Sequence, residues 1–404
     1  MTRPLEGIKV VEVAMWAFVP VAGAMLADYG AEVIKVEPTT GDPIRGLRSA
    51  PGAKGAEAIE LSWECYNRGK KSITLDLKLP EAHAALMRLL EDADVFVTNM
   101  LPRARKALDI EAETLRARFP KLIYAVGSAV GQRGPQGDKG GYDAITFWAR
   151  GGVSSSTTED GAKYPVGPPG PAFGDTLSGS MLAGGICAAL VKRALTGEAS
   201  TLDVSLLNVG MWSMQRGIAQ TTIDGVDRFP RPPRGLPNNV LSYTYETSDG
   251  RFLALCMLQQ DKYWAKLCHV AGRPDLANDP RFVDSSARRV NVEACMAETI
   301  PLFKSKTLAQ WKDILGQQDG QWDVVQHVGE LHADPQAIAN EYIQTVTCTA
   351  GIDIPLVSVP VQFDGRPMPA GQSPDVGAHS DELLARAGYS EDEIIDLKVK
   401  GAVF

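Results

Sequence analysis

GIKVVEVA (Gly7–Ala14), PVAGAMLADYG (Pro20–Gly30) and AEVIKVE (Ala31–Glu37) follow one another near the N-terminus and predict a strand, a helix and a second strand. Both strand segments are nearly continuous apolar runs, which is the pattern of strands buried on both faces. The helix segment ends at a glycine, a common stop signal. This order of elements predicts a parallel sheet with helices packed on it.

The same alternation continues along the chain. Further strands are predicted at Lys71–Leu77, Asp94–Asn99 and Lys121–Gly131, with a helix at Pro80–Ala93. We therefore expect an α/β fold whose large domain holds a doubly wound, Rossmann-like parallel sheet. Ligands of such sheets bind outside the carboxyl ends of the strands. No GxGxxG motif follows the first strand, which argues against a nicotinamide cofactor.

Composition also predicts the domain organisation. The proline-rich stretch Arg228–Asn239 is typical of a linker and follows a first part of the large domain, residues 1–227. Residues 240–334 are predicted to form a smaller α+β domain, and residues 335–404 to return to the large domain. A stretch rich in Gly, Ser, Thr and Pro, Gly151–Gly170, predicts a mobile loop.

The overall composition excludes several classes of function. The 404 residues carry a net charge of −8, which argues against a general nucleic-acid surface. We expect no apolar run long enough to span a membrane, and the N-terminus lacks the pattern of a secretory signal. A cytoplasmic protein is therefore expected. The six cysteines form no CxxC pair and the five histidines show no metal-ligand spacing, so we expect no metal.

One carboxylate stands out in PAFGDTLSGSMLAGGICAALVKRALTG (Pro171–Gly197), a long apolar helix rich in small residues. Asp175 lies at the start of this helix, where free amides and the helix dipole favour an anion. Two interpretations are open at this point. Asp175 is either an ordinary N-cap, for which aspartate is well suited, or the carboxylate nucleophile of an enzyme.

Several segments, taken in order, carry a family resemblance. They include ADYGAEVIKVEPTTGDPIR, NRGKKSITLDLK, ADVFVTN, GQRGPQGDKGGYD and GDTLSGSMLAGGICAALVKRALTGEASTLDVSLL. The chain resembles the class III CoA-transferase family, also called the CaiB-BaiF family, over nearly its whole length. That family includes formyl-CoA transferases, carnitine-type acyl-CoA transferases and α-methylacyl-CoA racemases.

The resemblance implies a reaction. Asp175 matches the family nucleophile, which attacks an acyl-CoA donor to give a mixed anhydride and then an aspartyl-CoA thioester. An acceptor carboxylic acid then takes over the CoA. Coenzyme A and acyl-CoA are substrates, and no metal or permanently bound cofactor is required. An aspartate with an ordinary pKa is almost fully ionised at neutral pH, as a nucleophile should be. The resemblance also implies an interlocked homodimer.

The resemblance assigns CoA-binding positions as well. Residues that match the family's CoA contacts are Leu75, Asn99, Met100 and Tyr142. Three cations near the family's basic positions are candidates for phosphate binding, with solvated surface side chains as the alternative: Arg105, Lys106 and Lys139.

Two departures from the family pattern bear on the substrate. Formyl-CoA transferases carry a polar run where this chain has Trp16, Ala17 and Phe18, so we expect a pocket for a larger, apolar acyl group. Plain core packing of these side chains is the alternative. Racemases carry a histidine where Tyr142 stands. Tyrosine ordinarily titrates near pH 10 and is a poor base at neutral pH, which favours transfer.

The predicted function is therefore that of a CoA-transferase that moves CoA between an acyl-CoA and a carboxylic acid through Asp175. Two alternatives stay open. One is an α-methylacyl-CoA racemase or epimerase that uses Asp175 as a base. The other is a non-catalytic subunit that binds CoA esters. The sequence does not identify the donor or the acceptor acid.

Overall fold

The computed structural model of the protein describes residues 3–47, 59–229, 233 and 235–404. The chain divides into two compact units. The first combines Met1–Phe229 with Pro335–Phe404, and the second is Pro230–Asp334. The predicted linker Arg228–Asn239 falls partly outside the described residues.

The strands of the described residues, in chain order, are β1 (Lys9–Val13), β2 (Glu32–Glu37), β3 (Lys71–Thr74), β4 (Val95–Thr98), β5 (Ile123–Ser128), β6 (Thr201–Ser205), β7 (Thr244–Glu246), β8 (Phe252–Leu255), β9 (Trp322–Val324), β10 (Ile343–Thr347) and β11 (Asp353–Val357). The α-helices are α1 (Phe18–Asp28), α2 (Leu61–Asn67), α3 (Pro80–Leu89), α4 (Pro102–Ala107), α5 (Ala112–Arg118), α6 (Val153–Thr157), α7 (Phe173–Thr196), α8 (Leu206–Ser213), α9 (Gln215–Asp224), α10 (Gln260–Val270), α11 (Pro274–Asn278), α12 (Ser285–Val290), α13 (Val292–Lys304), α14 (Leu308–Leu315), α15 (Pro335–Ala339), α16 (Ser380–Arg386) and α17 (Glu391–Val399). Short 3₁₀ helices span Pro43–Gly46 and Val328–Ala333, and a π-helix spans Ala144–Arg150.

A six-stranded sheet forms the centre of the first unit. Its strands are all parallel and lie in the order β3-β2-β1-β4-β5-β6, the order of a Rossmann sheet. Neighbouring residues of β1 face opposite sides. Val10 belongs to one buried cluster and Val11 to another, so both faces of the sheet are covered. The α/β class and the parallel sheet expected from the sequence are confirmed.

Some predicted elements differ in detail. The strand predicted at Lys71–Leu77 ends at Thr74, and the one predicted at Lys121–Gly131 covers only Ile123–Ser128. Gly151–Gly170, predicted as a mobile loop, contains helix α6. Gly152 precedes α6 with a φ of 83°, a conformation that glycine adopts without strain.

The C-terminal segment of the first unit packs on the edge strand β3. The N–H of Gly377 donates to Ser72 Oγ at 2.9 Å, and the N–H of His379 donates to the Ser72 carbonyl at 2.9 Å. The same segment contributes an antiparallel pair of strands, β10 and β11. In the second unit, β7, β8 and β9 form an antiparallel sheet over a core that includes Trp311 and Phe303.

Helix α7 has 24 residues and is long and apolar enough to cross a membrane by length and composition alone. The expectation that no apolar run reaches this length is therefore wrong. In the structure, Leu182, Ala183 and Ile186 of this helix are buried against the sheet in one core of the first unit. Core helices pass the same composition test.

A buried charged cluster lies beside β1. Glu12 is fully buried, and both its oxygens accept hydrogen bonds from Lys70 Nζ, at 3.0 and 2.9 Å. Lys70 also donates to the carbonyl of Pro20 in α1 and to the side chain of Asn67 in α2. Lys35 of β2 donates to Glu12 at 3.1 Å. The cluster therefore ties two strands to two helices.

Replacing Lys70 tests this cluster. We expect Lys70→Met to lower the free energy of unfolding by about 3–5 kcal/mol, because the buried Glu12 loses one of its two cations. Urea unfolding followed by circular dichroism measures the change. Lys398, whose exposed amino group pairs with Asp381 at 2.6 Å, provides the matched control. Lys398→Met should change stability by less than about 1 kcal/mol. Equal effects of the two variants would contradict the proposed importance of the cluster.

Candidate active site

The start of helix α7 is capped by a carboxylate from another element. Ala172, which precedes the helix, has a φ of 54° and provides no side-chain cap. Asp143, which directly precedes the π-helix, accepts a hydrogen bond from the N–H of Gly174 at 2.8 Å. A Cβ at position 174 would lie 2.5 Å from Asp143 Oδ1 and 2.3 Å from the ring of Phe147. Only glycine therefore allows this close approach.

Asp175 is the third residue of α7 and is half-buried. Among the described residues, no hydrogen bond donor approaches its carboxylate closely enough to bind it. The interpretation of Asp175 as the N-cap is therefore wrong, because Asp143 takes that role. The capping by Asp143 leaves both oxygens of Asp175 available to a ligand.

The surroundings of Asp175 favour its protonated form. Burial raises the pKa of Asp175 to about 7, and the nearby carboxylate of Asp143 adds to the rise. The expectation of an ordinary pKa and nearly complete ionisation is wrong, since desolvation and the like charge of Asp143 both disfavour the ionised form. Tyr66 of α2 lies close to Asp175. Burial, with Cys65 and Asp175 as further causes, raises the pKa of Tyr66 to about 12, so this hydroxyl stays protonated.

Asp175 opens into a cleft of about 490 Å³ at the carboxyl ends of β1, β4 and β5. This is the edge at which parallel sheets bind ligands. The predicted site residues that line the same cleft are Trp16, Ala17, Phe18, Asn99, Met100, Arg105, Lys139 and Tyr142. Leu75 does not line it. It lines a neighbouring apolar cavity of about 150 Å³, with which the cleft shares Met15 and Met100.

The two apolar residues at the start of α1 take different positions. Phe18 is 6% exposed and belongs to the core, although part of it reaches the cleft wall. Trp16 is half-buried and lies edge-on to Tyr142, with ring centroids 5.7 Å apart. Core packing therefore describes most of Phe18. Trp16 packs against the buried cluster of Ala17, Ile44 and Trp63 and also lines the cleft, so it contributes both to packing and to the cleft wall.

The basic candidates also separate. Arg105 is 6% exposed, so the alternative of a solvated surface cation does not hold for it. Its guanidinium donates to Gln132 Oε1 at 2.5 Å and to the Tyr124 hydroxyl at 3.4 Å, and its Nε has no partner. No carboxylate of the described residues pairs with it. Lys139 is exposed at the cleft, and Lys106 is exposed outside the cleft lining.

Sequence reasoning missed Asp143 as a site residue. The only available signal was its place directly after Tyr142 in GGYD, because Asp143 and the helix that it caps are 31 residues apart. Within the described ranges, no group of three or more His, Cys, Asp or Glu side chains could hold a metal ion.

Comparison with known proteins places the chain in a family. The pattern of CoA-transferase family III matches residues 5–380. The (R)-2-hydroxy-4-methylpentanoate CoA-transferase of Clostridioides difficile is 34% identical over 98% of this chain and 98% of its own. The cinnamoyl-CoA:phenyllactate CoA-transferase of Clostridium sporogenes is 32% identical over 98% of this chain and 96% of its own.

A solved structure gives the same result. The CAIB/BAIF family protein from Brucella suis superimposes with a TM-score of 0.81 at 28% identity, covering 96% of this chain and all of its own. The family match covers most of the chain, and the two named CoA-transferases align with it over nearly their full length. The protein is therefore an enzyme of CoA-transferase family III, as the sequence motifs predicted.

Proposed function

We propose that this enzyme transfers CoA between carboxylic acids through a covalent intermediate on Asp175. The observation that carries the proposal is the position of an unengaged carboxylate in a cleft lined by the predicted CoA contacts. Because Asp143 satisfies the helix start, the oxygens of Asp175 can approach a thioester without breaking an existing hydrogen bond.

The reaction proceeds in two exchanges. A carboxylate oxygen of Asp175 attacks the thioester carbonyl of the donor, and the C–S bond breaks to release CoA thiolate and leave a mixed anhydride. The thiolate then attacks the aspartyl carbonyl, which releases the donor acid and forms an aspartyl-CoA thioester. The acceptor carboxylate attacks that thioester, which displaces CoA thiolate and forms a second mixed anhydride between Asp175 and the acceptor. The thiolate then attacks the acceptor carbonyl of this anhydride. The new acyl-CoA leaves, and Asp175 is regenerated.

The cleft offers cations for CoA itself. Arg105 is a buried guanidinium whose described partners are neutral, so an incoming phosphate would gain a charge-assisted hydrogen bond there. Lys139 adds an exposed cation on the same cleft. Coenzyme A is an anion and the chain carries a net charge of −8, so these local cations are needed to hold it.

The donor and acceptor acids are proposed to carry apolar side chains. The two relatives described above are named for acids with a branched aliphatic or an aromatic group. The cleft wall supports the same class, because Trp16, Phe18, Ile145 and Leu206 contribute apolar surface beside Asp175.

Racemisation is less well supported. Racemisation needs a second base near Asp175. The described carboxylate close to Asp175 is that of Asp143, which is engaged as the cap of α7. Tyr66 and Tyr142 provide hydroxyls rather than a second base. A purely binding role is opposed by the match to enzymes over the full chain.

Covalent trapping tests the nucleophile. After mixing with a panel of branched and aromatic acyl-CoA donors, mass spectrometry should find acyl or CoA adducts on the peptide that contains Asp175. Hydroxylamine should convert the same side chain to a hydroxamate, because both intermediates are activated acyl groups. Asp175→Ala should form no adduct and lose turnover, yet bind CoA nearly as the wild type in calorimetry. Normal turnover by Asp175→Ala, or an adduct on another residue, would refute the mechanism.

The pH profile tests the charge around the nucleophile. The described titratable groups with an electrostatic effect on or from Asp175 are Asp143, before the π-helix, and Tyr66, from α2, while Tyr142, Arg105 and Lys139 line the same cleft. Only ionised Asp175 attacks, so the rate of CoA release in a single turnover should fall as the pH drops below about 7. Asp143→Asn keeps an oxygen for the Gly174 N–H and removes the like charge, so this acidic limb should move to lower pH.

Asp138 is the matched control for the pH experiment. Its exposed carboxylate pairs with Arg103 at 3.1 Å and does not line the cleft. Asp138→Asn should leave the acidic limb where it is in the wild type. If Asp143→Asn also leaves it unchanged, the two carboxylates are not coupled.

We further propose a homodimer, as the family resemblance implies. Helices α7, α8 and α9 pack one on the next and expose large apolar side chains, among them Leu195, Trp212 and Ile223. Exposed apolar surface of this kind is typical of protein interfaces.

Sedimentation velocity measures the assembly directly. We expect a species of twice the chain mass at micromolar concentration. Trp212→Glu should shift the distribution toward the monomer, because it would bury an unpaired charge. A monomer as the main wild-type species would exclude the dimer.

A further inference from the structure

The segment between β1 and α1 is held by hydrogen bonds on both sides. Asn99 accepts from the N–H of Met15 at 3.1 Å and donates to the Met15 carbonyl at 2.6 Å. The N–H of Trp16 donates to Asp42 Oδ1 at 3.1 Å. Lys35 Nζ donates to the Ala14 carbonyl at 2.9 Å. Three consecutive residues are therefore fixed by side chains from three other parts of the first unit.

The fixed segment has an unfavourable backbone. Trp16 has a φ of 70°, in the left-handed region that bulky residues rarely occupy. Such a conformation is strained for a bulky residue, and it persists only where the surrounding structure holds it. The hydrogen bonds of Asn99 and Asp42 supply that support.

Asp42 is itself held by the buried charges. Its Oδ2 lies 2.9 Å from Lys35 Nζ, and both side chains are fully buried. Its Oδ1 accepts from the N–H of Ile44 as well as from that of Trp16. The carboxylate is therefore locked between Lys35 and two backbone amides. The chain of contacts from Glu12 through Lys35 to Asp42 ends at the backbone of Trp16.

The indole that this backbone carries lies on the wall of the cleft. Its ring meets that of Tyr142 edge-on at 89°, and both rings line the cleft together with Asp175. The left-handed turn at Trp16 thus places an aromatic ring on the wall of the cleft that Asp175 also lines. An aromatic wall gains free energy by covering an apolar acyl side chain, and the rings of Trp16 and Tyr142 supply no cation to pair with a second carboxylate.

We propose that Trp16 selects acyl groups with branched or aromatic side chains over short acids and dicarboxylic acids, and that Asp42 is the positioning residue that holds Trp16 in place for this selection. The inference rests on the proposed function, since it concerns the acyl group that Asp175 receives. It adds a specificity-determining side chain and the buried residue through which that side chain is oriented.

The experiment measures acyl transfer to Asp175 itself. Initial rates of the hydroxylamine-trapped adduct are compared for isovaleryl-CoA and phenylacetyl-CoA against acetyl-CoA and succinyl-CoA. Trp16→Gly removes the ring and relieves the backbone strain, because glycine adopts this φ freely. We expect this variant to fold. The ratio of its rates with the two larger donors to its rates with the two smaller donors should fall at least about tenfold, because the larger side chains no longer bury apolar surface on the indole. Trp16→Phe, which keeps an aromatic ring, should retain most of the preference.

Asp42 is tested in the same assay. Asp42→Ala should reduce the preference as Trp16→Gly does, while Asp42→Asn keeps an acceptor oxygen for the Trp16 N–H and should restore it. In the Trp16→Gly background, Asp42→Ala should change the preference no further, because the residue acts through Trp16. A merely structural role would lower the rates with all donors equally and leave the preference unchanged.

The outcomes separate this inference from the proposed function. An unchanged donor preference in folded Trp16→Gly, with adducts still formed on Asp175, would overturn the role of Trp16 alone. The absence of any adduct on Asp175 in the wild type would overturn the proposed function. If Asp42→Ala does not fold, the comparison of Trp16→Gly with Trp16→Phe still decides the role of Trp16. In that case Asp42→Asn, which keeps the acceptor oxygen, should have the donor preference of the wild type.

Discussion

The first unit depends on a carboxylate that water does not reach. Glu12 lies on the central strand of the sheet between two lysines, one from the neighbouring strand and one from the loop before β3. A charge buried this deeply is tolerated only with partners, so the three side chains fix each other's positions. Because Lys35 also binds Asp42, the requirement extends to the loop that carries Trp16. The packing of the sheet and the shape of the cleft wall thus both depend on the pairing of these buried charges.

At the start of α7, two carboxylates, Asp143 and Asp175, have separate roles. Asp143 satisfies the exposed amide of Gly174, which any buried helix end requires. Asp175, one residue further along the helix, is released from that duty. The arrangement has an electrostatic consequence, since burial disfavours ionisation of both carboxylates and the charge of Asp143 further disfavours ionisation of Asp175. Formation of an uncharged acyl derivative on Asp175 would relieve this repulsion.

The sequence was sufficient for the sheet and for most of the cleft. Apolar runs such as GIKVVEVA predict buried strands because both faces of a parallel sheet are covered, and the glycine after α7 marks its end through its positive φ. The residue pattern could not reveal how the buried charges pair. Lys35 lies in AEVIKVE, a segment predicted to be buried, but nothing in that segment identifies its partner, and Lys70 in NRGKKS has the local context of a solvated cation. Only long-range packing brings both lysines to Glu12. The same limit applies to Asp143, whose role depends on a helix far away in sequence.

The return of the chain to β3 has a consequence for biosynthesis. The hydrogen bond between Gly377 and Ser72 joins residues 305 positions apart, and the whole second unit is translated between them. While the ribosome is still making that insert, the edge of the sheet at β3 lacks its C-terminal cover. The nascent polypeptide therefore exposes a sheet edge for most of its synthesis, and such edges attract chaperones or neighbouring strands. The order of synthesis makes the second unit the part that can complete its own core first.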